Sequence, residues 1–246
     1  MSVRRLLSVV LLLLTACAVP AKAEQVDLSP RPGVNEPVTV LSAPGAVRNV
    51  VLFTGSAGGY RGMSNNFVIR IAGQLQAAGF NVAMPDLPSD NASGMSNAFR
   101  ASAEHATDIA AIIDLLNSRA HVPVWLISTS NGTLSAVNVA SRLGPQKVAG
   151  LVLTSTVWQR IAAFDDLSQV QVPTLVVHNR DDGCRESPPG MAQAGTARLT
   201  HAPVKELIMT SGGISRSQPC QALSPHGYLG VEDQVVVPMI AWIKSH

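Results

Sequence analysis

The sequence predicts an α/β domain built on a mostly parallel central sheet with helices on both faces. Three observations carry that expectation. Short β-branched runs alternate with longer helical stretches along the chain. The inner runs "VVLF", "VWLI", "LVL" and "TLVV" are apolar on both faces, as strands covered from two sides must be. The chain has 246 residues, 46% hydrophobic and 14% charged, so it can bury one sizeable core without a second domain.

The chain opens with Arg4 and Arg5, an apolar run from Leu6 to Leu14 too short to cross a bilayer, and Ala21-Lys22-Ala23 before Glu24. This is the pattern of a signal peptide over residues 1–23, leaving residues 24–246 as a single domain. Leu14-Thr15-Ala16-Cys17 offers the alternative of a lipoprotein signal, with the mature chain anchored through Cys17. Both readings send the protein out of the cytoplasm, to the periplasm or beyond. Without Arg4, Arg5 and Lys22, the 18 basic residues become 15 against 16 acidic ones. That near-neutral balance gives no electrostatic case for nucleic acid. No later stretch has about 18 uninterrupted apolar residues, so no transmembrane segment is expected.

The Pro-rich stretch from Ser29 to Pro37 reads as an extended approach to the domain. Strands are expected at Val38 to Leu41, Asn49 to Thr54, Asn81 to Met84, Val122 to Ile127, Val148 to Thr154, Thr174 to His178 and Val204 to Met209. The first alternates and follows Pro37, which suits an antiparallel edge. Helices are expected at Ser64 to Ala78, Ser96 to Ala120, Asn131 to Leu143, Pro188 to Ala197 and Val231 to Lys244.

In such sheets ligands bind beyond the carboxyl ends of the strands, so the residues after each strand are the informative ones. After the second comes Gly55-Ser56-Ala57-Gly58-Gly59. It lacks the Gly-Lys-Ser/Thr of a P-loop and does not fit G-x-G-x-x-G, which argues against a nucleotide cofactor. Such a turn can instead present backbone N–H groups to an oxyanion. After Val122 to Ile127 comes Ser128-Thr129-Ser130-Asn131-Gly132, of the form small-x-Ser-x-Gly. A sharp strand-to-helix turn of this kind strains its central residue and needs small neighbours two positions away on each side. On its own the motif could equally be helix-capping chemistry. Two carboxylates, Asp181 and Asp182, follow Thr174 to His178, and His226 lies in the loop after Val204 to Met209. The chain order Ser, Asp, His, each after a different strand, is that of a hydrolase triad rather than of chymotrypsin or subtilisin.

At these residues the sequence resembles the α/β-hydrolase superfamily, through "LFTGSAGG", "ISTSNGT", "VVHNRDDGC" and "SPHGYLG". The resemblance implies Ser130 as nucleophile, His226 as general base and acid, and Asp182 as the orienting carboxylate, with Asp181 the alternative. Asp182 is preferred because family acid loops read His-Gly-x-x-Asp and His178 begins the matching stretch. It also implies an oxyanion hole from the N–H groups of Ser56 and Asn131, although Thr54-Gly55 stands where relatives carry His-Gly. No metal site or cofactor is implied.

Cys184 and Cys220 remain after the leader, an even pair in an oxidising compartment where a disulfide is expected. The alternative is two free buried thiols. Because Cys184 is two residues after Asp182 and Cys220 six before His226, a bridge would tie the acid loop to the base loop.

His105 falls on an amphipathic helix and reads as an interhelical or surface residue, His178 as a hydrogen-bonded core residue. His121, His201 and His246 lie at turns or the chain end, without ligand partners at metal-binding spacing. Trp125 and Trp158 read as core, with Trp158 a candidate pocket wall. The short interval from Ser155 to Pro173, where relatives often insert a lid, holds only Trp158 to Leu167 as a helix, so the site should be shallow and open. The sequence thus points to an exported serine hydrolase acting on a carboxylic ester or related acyl bond of a small or acylated substrate. The alternatives are an acyltransferase with the same triad and a non-catalytic binding protein on the same scaffold.

Overall fold

The computed structural model describes residues 23–246; the expected leader up to Lys22, including Cys17, lies outside the described residues. Eight strands form one sheet: β1 (Ala23–Arg31), β2 (Val34–Leu41), β3 (Arg48–Phe53), β4 (Phe80–Pro85), β5 (Val124–Thr129), β6 (Gly150–Thr154), β7 (Thr174–Asn179) and β8 (Lys205–Thr210). Their order is β1-β2-β4-β3-β5-β6-β7-β8. From β4 to β8 every pairing is parallel, whereas β2 runs antiparallel to both β1 and β4.

The seven expected strands are all present. β2 is antiparallel as expected but is not the edge, because β1 pairs along it from Ala23↔Leu41 to Arg31↔Val34. The stretch taken as an extended approach therefore belongs to a hairpin. β1, AEQVDLSPR, has no fully buried residue; Val26, Leu28 and Pro30 are only half-buried on one side, Leu28 against the core, and the strand is held by backbone pairing and by Arg31 on Asp108 at 2.6 Å.

The helices cover both faces. α4 (Ala103–Arg119), α5 (Gly132–Lys147) and α6 (Trp158–Phe164) enclose one core, in which Ile109, Ile112, Leu134 and Val137 meet Leu126 of β5. α1 (Phe67–Arg70), α2 (Ala72–Ala77) and α8 (Asp233–Ser245) enclose the other, where Phe67, Leu75, Met239 and Ile243 meet Trp125 and Ile127. The alternation of Trp125, Leu126 and Ile127 between opposite cores is why the strand reads as apolar throughout. The expected helix over Ser64 to Ala78 is α1 plus α2, and that over Ser96 to Ala120 is α3 (Asn97–Arg100) plus α4, restarted by the Ser102 hydroxyl, which accepts the His105 N–H at 3.1 Å. α7 (Ala192–Ala197) follows the acid loop. Among the described residues, no helix is long and apolar enough to cross a membrane.

Candidate active site

β5 ends at Thr129 and α5 begins at Gly132, so Ser130 and Asn131 make the whole turn. Ser130 has φ +53°, left-handed backbone that a residue with a Cβ adopts only when its surroundings hold it there. They do: its N–H donates to Thr154 O at 3.0 Å, and its carbonyl accepts from the Thr133 N–H at 2.9 Å and hydroxyl at 2.6 Å. Gly132 allows α5 to start against β3, since a Cβ there would lie 2.4 Å from Phe53 O and 2.7 Å from Thr54 O. Ser128, the small residue on the other side, is fully buried and donates to Val152 O at 2.9 Å.

Beyond β7, Asp182 is the carboxylate that reaches the histidine: His226 Nδ1 lies 2.9 Å from its Oδ2. Asp181 instead accepts the Gly212 N–H at 2.6 Å and bridges the two loops on the outside. Asp182 Oδ1 accepts the Cys184 N–H at 2.8 Å. Burial alone raises the Asp182 carboxyl, but hydrogen bonds from His178 and His226, the His226 charge and the Cys184 N–H outweigh it and hold it down at about 2. The carboxylate is thus ionised at neutral pH and holds His226 through Nδ1. His226 Nε2 is buried with no protein partner among the described residues. It borders a cavity of about 210 Å³ whose wall also includes Ser130, Gly55, Ser56 and Thr129.

Cys184 and Cys220 are bonded, 4.5 Å apart at Cα, and join the acid loop to the base loop. The base loop has further anchors. Ser155, just past β6, donates its hydroxyl to the His226 carbonyl at 2.6 Å. The Tyr228 hydroxyl accepts the Ser155 N–H at 3.0 Å and donates to Val177 O at 2.8 Å. Arg70 Nη2 donates to Gly227 O at 2.6 Å and pairs with Glu232 at 2.8 Å. Burial raises the Tyr228 hydroxyl further above its usual range, which keeps it a neutral donor.

The candidate oxyanion donors also converge. Ser56 has φ +51°, and the Asn131 amide Nδ2 donates to its carbonyl at 3.3 Å. The N–H groups of Ser56 and Asn131 have no protein acceptor among the described residues. Thr54 closes the loop by donating to Gly59 O at 2.6 Å.

One residue beside the site carries no sequence signal, and three others were read from the sequence. Ser187, in "RESPPG", is fully buried and donates to Asp182 Oδ2 at 2.9 Å while lying 3.0 Å from His226 Nδ1. His178 is fully buried as expected; its Nε2 donates to the Ser187 carbonyl at 2.9 Å and lies 3.5 Å from Asp182 Oδ2. His105 is buried rather than on the surface, set between Phe53 and Phe99, and burial pushes it down to about 3, so it stays neutral. Trp158 is core: it lies under α7, where a Cβ on Gly195 would be 2.4 Å from its ring.

Asp182, Cys184 and His226 are the one group of three metal-ligating side chains within reach of one another among the described residues. The Cys184 sulfur is committed to the disulfide, and Asp182 and His226 are hydrogen-bonded to each other. The interval between β6 and β7 holds only α6 and a short 3-10 turn at Leu167–Gln169, with no inserted lid domain.

No protein-family model and no curated protein sequence matches the chain. Solved structures do resemble it in shape. A dienelactone hydrolase from Anabaena variabilis superposes at TM-score 0.68 with 18% identity, over 92% of this chain and 98% of that one. A cold-adapted esterase from an Arctic intertidal metagenomic library gives 0.63 at 14% identity, over 94% and 96%. A serine hydrolase without a lid from Xanthomonas campestris gives 0.61 at 17% identity, over 94% and 95%.

Proposed function

We propose that this chain, which has the α/β-hydrolase fold, is a serine hydrolase that cleaves a carboxylic ester or related acyl bond through an acyl-enzyme. The observation that carries the reading is the pairing of Asp182 with His226 Nδ1 at 2.9 Å, which leaves Nε2 unengaged beside the cavity that Ser130 enters. In this mechanism His226 Nε2 takes the Ser130 proton as Oγ attacks the substrate carbonyl. The N–H groups of Ser56 and Asn131 receive the oxyanion, aided by the N-terminus of α5. The imidazolium, stabilised by ionised Asp182, then protonates the leaving group. In the second half His226 activates water, which releases the acid and restores Ser130. The small cavity, with Met63 and Phe67 on its apolar side, suits short acyl groups.

The disulfide supports the expected export to an oxidising compartment, with cleavage after Ala23 or anchoring at Cys17 distinguished by the mass of the mature chain.

The test is labelling by a fluorophosphonate probe together with hydrolysis of p-nitrophenyl butyrate. The wild type should be labelled and active, and Ser130→Ala neither. Asp182→Asn should lose roughly four orders of magnitude in kcat, whereas Asp181→Asn stays within about threefold of wild type because its contact is structural. Failure of the folded, oxidised wild type to label or turn over would refute the reading.

A further inference from the structure

Arg100, the last residue of α3, is fully buried, yet it has no carboxylate partner among the described residues. Its Nη1 donates to the Ser135 hydroxyl at 3.0 Å and its Nη2 to the Ser56 carbonyl at 3.1 Å, while Nε has no acceptor. A buried charge without a counter-ion costs several kcal/mol, so its retention calls for a function that an apolar side chain of similar size would not serve. Burial, and then the nearby Arg160 charge, lowers the guanidinium to about 10, which leaves it cationic at neutral pH.

Its surroundings are built around this contact. Gly58 has φ +91°, and a Cβ there would lie 2.9 Å from Arg100 Nη2 and 2.2 Å from Met95 Cε, so the loop leaves that space to the guanidinium. The Met95 N–H donates to Ala57 O at 2.8 Å, which latches the next peptide of the same loop. Arg160, next to Asn131, donates to its Oδ1 at 3.1 Å and orients the amide that also reaches the Ser56 carbonyl.

The contact falls on the turn that carries the candidate donor. Ser56, at φ +51°, is the first inner residue of a tight turn closed by the Gly58 N–H on Gly55 O at 3.0 Å, and it lines the cavity that Ser130 borders. A guanidinium bonded to the Ser56 carbonyl holds that turn in place from the buried side. We propose that Arg100 is a positioning residue for the oxyanion hole: it fixes the positive-φ turn at Ser56 that carries the candidate N–H, and sets a buried positive charge behind the loop that would receive the developing oxyanion. A charge in that low-dielectric place favours the transition state over the neutral substrate, so its effect falls on kcat. This inference rests on the esterase reading above.

The experiment compares wild type with Arg100→Met, and with Arg100→Gln, which keeps a neutral donor and folds without burying charge. Each is measured for p-nitrophenyl butyrate kcat and KM, inhibition by phenylboronic acid, which forms an anionic tetrahedral adduct on the nucleophile, and thermal unfolding. The expected result is a kcat lower by about ten- to a hundredfold in Arg100→Met, KM within about threefold, boronate affinity falling in step with kcat/KM, and Arg100→Gln in between. A folded variant with wild-type kcat and boronate affinity overturns the proposal. So does a loss confined to KM, and so does failure of both variants to fold, which would assign Arg100 to the core alone. An inactive wild type would instead sink the esterase reading, and this inference with it.

Discussion

Replacing Gly132 by alanine places a Cβ 2.4 Å from the carbonyl oxygen of Phe53, 2.7 Å from that of Thr54 and 2.8 Å from the Phe53 carbonyl carbon. All three are backbone atoms of β3 and the turn after it, so no side chain can swing aside. Restoring ordinary contact takes a displacement of about 1 Å, in either the start of α5 or the oxyanion loop. Overpacking of this kind costs roughly 1–3 kcal/mol, which in a chain of this size lowers the melting temperature by about 3–10 °C. The kinetic cost is larger, because Ser130 and Asn131 directly precede the displaced residue, and a 1 Å misplacement can cost about a hundredfold in rate. The assay is paired: thermal unfolding and p-nitrophenyl butyrate kcat/KM for Gly132→Ala and for Gly73→Ala. Gly73 lies in α2 with nothing within 4 Å of its would-be Cβ, so alanine there should leave the rate unchanged and stabilise by about 0.5–1 kcal/mol. A Gly132→Ala protein with wild-type melting and wild-type kcat/KM would refute the packing argument.

Two further perturbations test other parts of the molecule. Reducing or removing the Cys184–Cys220 bond opens a loop of 36 residues, worth roughly 4 kcal/mol in the chain-entropy account, and frees the Cys184 N–H that holds Asp182. Melting temperature and kcat should fall together in Cys220→Ser, and an unchanged kcat would show that the loops need no tie. Glu36, buried on β2, is pushed up to about 8 by burial and by Asp108, against Arg31, with Asp90 and Asp86 adding to the rise. The folded chain therefore keeps a proton that the unfolded chain releases near its ordinary 4.5, so stability falls as pH rises from about 4.5 to 8. Glu36→Gln should melt increasingly above wild type from pH 5 to pH 8; parallel melting curves across that range would exclude Glu36 as the cause.

The inner strands were legible because two-sided burial makes them apolar throughout, a signal that survives without knowing any partner. β1 was not, since an edge strand with Glu24, Asp27 and Arg31 exposed or half-exposed is held by backbone pairing, and pairing leaves no mark on composition. The helix expected to stop at Leu143 meets a break there, since Gly144 departs from helical backbone at φ +60° before a last turn to Lys147. At the candidate site, Ser130, His226 and the pair Asp181 and Asp182 were singled out by their order after successive strands, because that topology converts chain position into proximity, while the choice of Asp182 came from the family resemblance. Ser187 and Arg100 have no such address. A serine before two prolines reads as a loop residue, and an arginine at the end of a short helix reads as a solvated cation. Only their burial, with His226 beside Ser187 and Ser135 beside Arg100 brought in from distant parts of the chain, gives them meaning.

Among the described residues, the four that hold positive φ without being glycine are Ser56, Ser130, Ser155 and Tyr228, and all four surround the site. Each costs roughly 1–2 kcal/mol relative to glycine at the same place. Three are serines, so glycine would relieve the backbone and remove only a hydroxymethyl group. Selection for thermal endurance alone would drift toward glycine at these positions. That the chain keeps side chains there marks a limit on how far this scaffold can be stabilised before it stops working.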